Sequence, residues 1–185
     1  MRFFLPEALS VGPDWAMAPL AVALLVPTTL MHYRHQHRAN QILGYILLTL
    51  VTADMIASLS LLIARLSTHQ ESPRQLLLSA AGLWSSNVLV FASWYWRLDA
   101  GGPNVRDHLE HHESGAFLFP QMQMRMRGWK PGFVDYLFLA FNTSTAFSPT
   151  DVPVLSRWAK VMMMVQSSIS LGTVVILAGR AVNIL

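Results

Sequence analysis

Three groups of side chains in this sequence could do chemistry, and each lies in or beside an apolar run. Asp54 sits midway along residues 42–62, a stretch of leucine, isoleucine and valine broken otherwise only by small, hydroxyl or aromatic residues. A carboxylate in such surroundings is a candidate proton or cation site, because ionising it is costly unless a partner or water faces it. Asn87, near the middle of residues 76–96, and Gln166 with Ser167, within residues 158–177, stand at comparable depth in their own runs. The second group follows a short apolar run: Asn142, Thr143, Thr145, Ser148 and Asp151 supply amide, hydroxyl and carboxylate oxygens within one turn. Oxygens gathered in this way can replace part of the hydration shell of a small cation.

The third group is His108, His111 and His112, interleaved with Asp107, Glu110 and Glu113. On a helix the three histidines share a face, a geometry that zinc or a proton sensor could use. The spacing matches no specific metal signature, so solvated surface is the expectation and no metal site is assigned. For the polar residues within the apolar runs the structural alternative is hydrogen-bonded packing between helices, worth about 1 kcal/mol per contact. Ala53 with Ala57, and Ser168 with Gly172, are pairs of small residues four apart that permit close helix approach.

The elements that must position these residues follow from composition. Hydrophobic residues make up 53 % of the 185 and charged residues only 12 %, with a mean hydropathy of +0.39, against about 25 % charged in a soluble domain. The charges are bunched between apolar runs at 16–31, 42–62, 76–96, 133–148 and 158–177, most of them near the ~20 residues that a helical crossing needs. This argues against a water-soluble all-helical bundle, the alternative reading, and implies an all-α, polytopic membrane protein in a single membrane domain, with lipid as its partner. Residues 1–98 hold the first three membrane helices, 99–132 a polar or interfacial loop, and 133–185 a short helix, a turn and the last membrane helix. Arg2 is followed by Pro6, Glu7, Pro13 and Asp14, so no cleavable signal is expected.

The absence of cysteine excludes disulfides and thiolate chemistry. A net charge of +3 on dispersed basic residues forms no groove-sized patch, so nucleic acid is not an expected partner. No nucleophile–base motif appears; neither enzymatic activity nor a cofactor is expected.

The number of crossings turns on residues 133–148. Sixteen residues of helix reach about 24 Å, short of a hydrocarbon core of about 30 Å. Four or five membrane helices are therefore open, the fourth either crossing or re-entrant. With five crossings, the loops at 32–38 and 97–130 together with Arg180 gather eight of the thirteen basic residues on one side, which places the C-terminus inside. With a re-entrant segment, nine of the thirteen face the side opposite both termini. Trp94, Tyr95, Trp96 and Arg97 mark a helix leaving the hydrocarbon for the headgroups. Met122 to Arg127 alternate with period two, which suits either a strand or a segment lying on the bilayer surface.

Four stretches carry a resemblance: Trp94-Tyr95-Trp96-Arg97-Leu98-Asp99, Phe133-Val134-Asp135-Tyr136-Leu137-Phe138, Phe141 to Val152, and Arg180-Ala181-Val182-Asn183-Ile184-Leu185. On these the chain resembles an uncharacterised bacterial inner-membrane family, domain of unknown function 1345, which implies a multi-pass protein of the cell inner membrane. Locally, residues 133–185 are similar to the pore helix, filter and inner helix of two-span potassium channels. That resemblance implies that Asp135 and Tyr136 open a pore helix, that residues 145–151 stand in the filter position, and that residues 158–180 form an inner helix with Gly172 inside it. It also implies a third span acting as outer helix and four subunits around one pore. Ser148 and Thr150 stand where such filters have glycine, and Pro149 removes a donor, so potassium selectivity is not carried over. The expected function is an oligomeric, ion-channel-like pore subunit for a small cation, with a degenerate filter. The alternatives are a structural or accessory membrane protein and a small proton-coupled transporter that uses Asp54.

Overall fold

The computed structural model describes residues 37–65, 73–108, 115–145 and 151–182. Among these described residues six α-helices follow in order: α1 (His37–Arg65), α2 (Pro73–Leu98), α3 (Pro103–His108), α4 (Pro120–Gln123), α5 (Phe133–Thr145) and α6 (Arg157–Val182). Among the described residues the only extended pairing is one isolated antiparallel bridge, Phe117 with Val154. The first apolar run, 16–31, lies outside the described residues, as do His111, His112 and Ser148.

Two segments, Gln41–Ala64 and Leu77–Gly101, are long and apolar enough to cross a membrane, and only 22 % and 44 % of them is buried. The core helix of a soluble protein buries most of its apolar surface. Here α1 buries a narrow stripe, Leu48, Met55 and Leu62 at seven-residue intervals, and exposes Ile42, Ile46, Leu50, Ile56 and Ile63. Hydroxyl residues within the long helices do not need water, because they bond back to the carbonyl four residues earlier: Thr52 to Leu48 at 2.6 Å, Ser86 to Gly82 at 2.7 Å, Ser93 to Leu89 at 2.8 Å.

The chain forms two compact units, residues 1–86 with 173–185, and residues 87–172. These boundaries fall inside α2 and α6. The second unit carries most of the buried polar groups.

At one end of that unit the chain reverses after α2 through a 3₁₀ turn at Asp99–Gly101, in which Ala100 has φ 49° and Gly101 φ 80°. A side chain at Gly101 would press on Val105 at 3.3 Å besides adopting a disfavoured φ. Pro103 then opens α3, which delivers Arg106 back under the turn. The buried Arg106 guanidinium donates to the carbonyls of Trp96 at 2.8 Å and Asp99 at 2.7 Å, satisfying acceptors that the end of α2 leaves over.

The Asp99 carboxylate, fully buried, accepts from the Ala116 N–H at 2.5 Å and from the Tyr136 hydroxyl at 2.6 Å. One side chain therefore joins the end of α2, the 115–118 segment and the first turn of α5. Aromatic rings close around it, with Phe117 5.2 Å from Tyr95 and 6.0 Å from Trp158, and Phe119 5.3 Å from Tyr136. Burial first, and the Asp99 carboxylate second, hold the Tyr136 phenol far above its ordinary range.

The sequence between Met122 and Arg127 is neither a strand nor a long surface helix. After the four residues of α4 it becomes a tight turn, with Arg125 at φ 51° and Gly128 at φ 74°. Gln123 to Gly128 are all exposed, so the period-two pattern marks no division into a buried and an exposed face.

Asp99→Leu should strip an acceptor from the Tyr136 hydroxyl and the Ala116 amide, at about 1–3 kcal/mol for each orphaned group. The expected readout is a lowered thermal midpoint in detergent by circular dichroism, with a smaller loss for Tyr136→Phe. Because the folded-state Tyr136 value is raised, its contribution is complete below the ordinary tyrosine pKa of about 10 and declines as pH rises above it. Tyr136→Phe should reduce that alkaline decline.

Candidate functional site

A second polar group lies deeper in the same unit, where α2, α5 and α6 meet. Gln166 on α6 is fully buried. Its Nε2 donates to the Ala140 carbonyl at 2.7 Å and to the Ser144 hydroxyl at 2.8 Å, and its Oε1 accepts from the Tyr95 hydroxyl at 2.6 Å. Both amide hydrogens and the carbonyl oxygen are thus engaged. From α2, Asn87 Nδ2 reaches the Gln166 backbone carbonyl at 3.2 Å and the Ser144 hydroxyl at 3.4 Å.

The C-terminus of α5 explains why so many hydroxyls converge here. The last four carbonyls of any helix lack an intrahelical partner. On α5 three of them are answered: Asn142 by the Thr145 hydroxyl at 3.0 Å, Thr143 by Ser167 at 3.2 Å and Ser144 by Ser170 at 2.5 Å. Thr143 itself bonds back to Leu139 at 2.8 Å. Two of these donors belong to α6, so α6 caps α5 from the side.

Helix geometry gives the distance between the two polar groups. Arg97 lies ten residues beyond Asn87 on α2, Gln166 eight beyond Trp158 on α6, and Ser144 eleven beyond Phe133 on α5. At 1.5 Å per residue these separations are about 12–16 Å, or half of a hydrocarbon core of about 30 Å.

The chain then comes back. Leu118 N–H donates to the Pro153 carbonyl at 2.9 Å and Leu155 N–H to the Ala116 carbonyl at 2.8 Å, so residues 153–155 lie beside the segment that Asp99 ties to the start of α5. The Ser156 hydroxyl accepts from the Ala159 N–H at 3.3 Å and caps the start of α6 there. α5 therefore leaves this end and the chain returns to it before α6 begins.

Compared with protein-family models, with curated proteins and with solved structures, the chain matches none. Its functional reading rests on the arrangement of its own residues.

Of the residues that sequence reasoning singled out, Asn87, Thr143, Gln166 and Ser167 come together in this layer. Asn142 and Thr145 are half-buried on the same turn of α5, Asp151 is exposed, and Asp54 is half-buried in the other unit. His108 ends α3, and among the described residues no three acidic or histidine side chains could hold a metal ion. Ala53 and Ser168 are exposed, Ala57 is half-buried, and a β-carbon added at Gly172 would meet nothing within 4 Å. That face of α6 is open.

Sequence reasoning missed Tyr95, Ser144, Asp99 and Arg106. Tyr95 lies between two tryptophans and reads as an interfacial ring, while Asp99 and Arg106 read as loop charges. Only their partners in space reveal them.

The layer is nearly saturated; among the described residues its one unanswered buried atom is Asn87 Oδ1. A shallow pocket of about 280 Å³ opens near Trp158, but its only side-chain hydroxyl is the capping Ser156. Such a layer can position a helix; its hydroxyls and amides are committed to one another and to backbone.

Gln166→Leu removes three side-chain hydrogen bonds, which at the 0.6–1.7 kcal/mol measured for bonds between membrane helices comes to about 2–5 kcal/mol. Asn87→Leu should cost less than half as much, since it also removes an orphaned acceptor. Thermal midpoints of the two variants in detergent test this ranking, and equal losses would contradict it.

Proposed function

We propose that this chain is a multi-pass protein of the cell inner membrane in which α5 is a re-entrant half-helix, and that it acts as the subunit of an oligomeric, pore-loop-like assembly for a small cation. One observation carries the reading. α5 begins at the Asp99–Tyr136 end, stops about half a hydrocarbon thickness away, and the chain is back at that end by Pro153. The six Cα–Cα steps from Thr145 to Asp151 reach at most about 20 Å, enough for that return. A helix terminus at mid-depth is tolerated only where protein or a water-filled cavity satisfies its carbonyls, and α6 supplies that satisfaction.

In this reading α6, with 26 residues and exposed Val161, Met164, Val165, Leu171, Val174 and Val175, is a further crossing. With residues 16–31 it brings the crossings to four, with α5 apart. The order of α2, α5 and α6 is that of outer helix, pore helix and inner helix, as the resemblance to two-span potassium channels implies, and the family assignment to domain of unknown function 1345 is proposed on the same grounds. The open face of α6 at Ser168 and Gly172 suits a second copy, and the channel likeness makes the assembly a tetramer. Thr143 and Gln166 are packing groups rather than pore lining. Among the described residues the exposed Asp151 is the group offered to a cation. No catalysis and no potassium selectivity are assigned.

The second reading is a structural or accessory membrane protein, favoured by the near-complete pairing of polar groups within a single chain. The absence of native cysteine allows the tests to use single cysteines. Cysteines introduced at the exposed Val134 and Leu155 should react with a membrane-impermeant maleimide from the same side of oriented vesicles; reaction from opposite sides would mean a full crossing. Purified protein in planar bilayers should conduct cations in a way that Asp151→Asn alters. No conductance under any ion gradient, with α5 still re-entrant, would leave the packing role.

A further inference from the structure

Around the Asp99 end, the described surface combines three features: exposed basic side chains, indole rings and two solvent-facing methionines on a rigid turn. Arg125, Arg127, Lys130, Arg157 and Lys160 are exposed there and Arg97 is half-buried, against the acids Asp135 and Asp151, an excess of four positive charges among these residues, with Asp99 and Arg106 buried. Trp96 lies 5.8 Å from Phe133, with the Arg97 guanidinium 5.8 Å from its ring. Trp129 rests on Phe119 at 5.7 Å, which in turn contacts Tyr136.

The turn itself is the informative part. Met124 is 66 % exposed and Met126 53 %, and the arginines between and after them are exposed as well. The turn is held by Arg125 N–H to the Met122 carbonyl at 3.0 Å, Met126 N–H to Gln121 at 3.1 Å and Trp129 N–H to Met126 at 3.4 Å. It is anchored at its base by Trp129. Two unbranched apolar side chains are thus held outward by a built structure, leaving apolar surface in water that burial elsewhere would relieve.

We propose that this turn, with the surrounding basic residues, docks on the anionic phospholipid headgroups of one leaflet. Met124 and Met126 enter the boundary between headgroup and acyl chain, and Arg125, Arg127 and Lys130 contact the phosphates. Interleaved apolar and basic side chains fit that boundary on both counts. Indoles gather at the same depth, and each basic residue near an anionic surface adds attraction. The proposal rests on the membrane reading above and deepens it: the leaflet rich in anionic lipid is the one from which α5 enters.

The test uses the full chain carrying a single environment-sensitive fluorophore on Met126→Cys, reconstituted into phosphatidylcholine vesicles with or without phosphatidylglycerol. A second preparation carries the probe on Met164→Cys, on the exposed apolar face of α6. The expected result is that the probe at 126 is quenched by a headgroup-level nitroxide lipid severalfold more strongly with phosphatidylglycerol present. That dependence should be lost in the Arg125→Gln/Arg127→Gln background, which leaves the buried anchors intact.

If the probe at 126 stays open to aqueous acrylamide in both lipids while that at 164 is shielded, docking is overturned and the membrane reading stands. If both stay open, both fall. Equal nitroxide quenching in the two compositions overturns the anionic preference. Shielding of 126 from acrylamide and nitroxide alike means that protein covers the turn, which also overturns the proposal.

Discussion

The structure of residues 87–172 depends on how a helix can stop away from water. Carbonyls near the end of a helix lack intrahelical partners, and away from water each would cost several kcal/mol unless another group answers it. The answer comes from α6. Gln166 takes the Ala140 carbonyl and the Ser144 hydroxyl, and Ser167 and Ser170 take the carbonyls of Thr143 and Ser144. Replacing these groups by apolar residues would leave α6 an ordinary apolar helix and α5 without a place to end.

A second constraint acts at the opposite end of α5. Asp99 binds the Tyr136 hydroxyl and the Ala116 amide, and Arg106 satisfies the carbonyls at the end of α2. The two groups differ in character. The Asp99 group contains charge and is enclosed by aromatic rings, whereas the Gln166 group is neutral throughout. That order suits a molecule whose outer end meets headgroups and whose middle meets hydrocarbon, because a neutral amide can be dried at far lower cost than a carboxylate.

Helix existence was legible from apolar runs, since a run long enough to cross a membrane leaves the backbone little alternative. Residues 42–62 became His37–Arg65 and 76–96 became Pro73–Leu98, longer because a helix continues past the apolar stretch into polar surroundings. Of residues 133–148 the structure describes Phe133–Thr145 as helix, and within its last turn hydroxyl residues take up carbonyls. Asn87 and Gln166 were legible because polar residues inside an apolar run must find partners. Which partners they find was not, since that depends on helix rotation: one position along α5 separates Thr143, turned back on its own helix, from Ser144, which receives Gln166. Asp99 and Arg106 carried no local signal, because a charge just beyond an apolar run is what any loop would show. The alternation from Met122 to Arg127 pointed to a strand or a surface segment; with a left-handed residue at Arg125 it is a tight, exposed bend and not a strand.

The contacts of α2 within this unit are uneven. Toward its C-terminus Tyr95 and Asp99 make bonds of 2.5 to 2.6 Å, while Asn87 holds on by contacts of 3.2 and 3.4 Å and keeps one lone pair unanswered. By its side-chain hydrogen bonds α2 is thus fastened more tightly where it ends, at Tyr95 and Asp99, than midway, at Asn87.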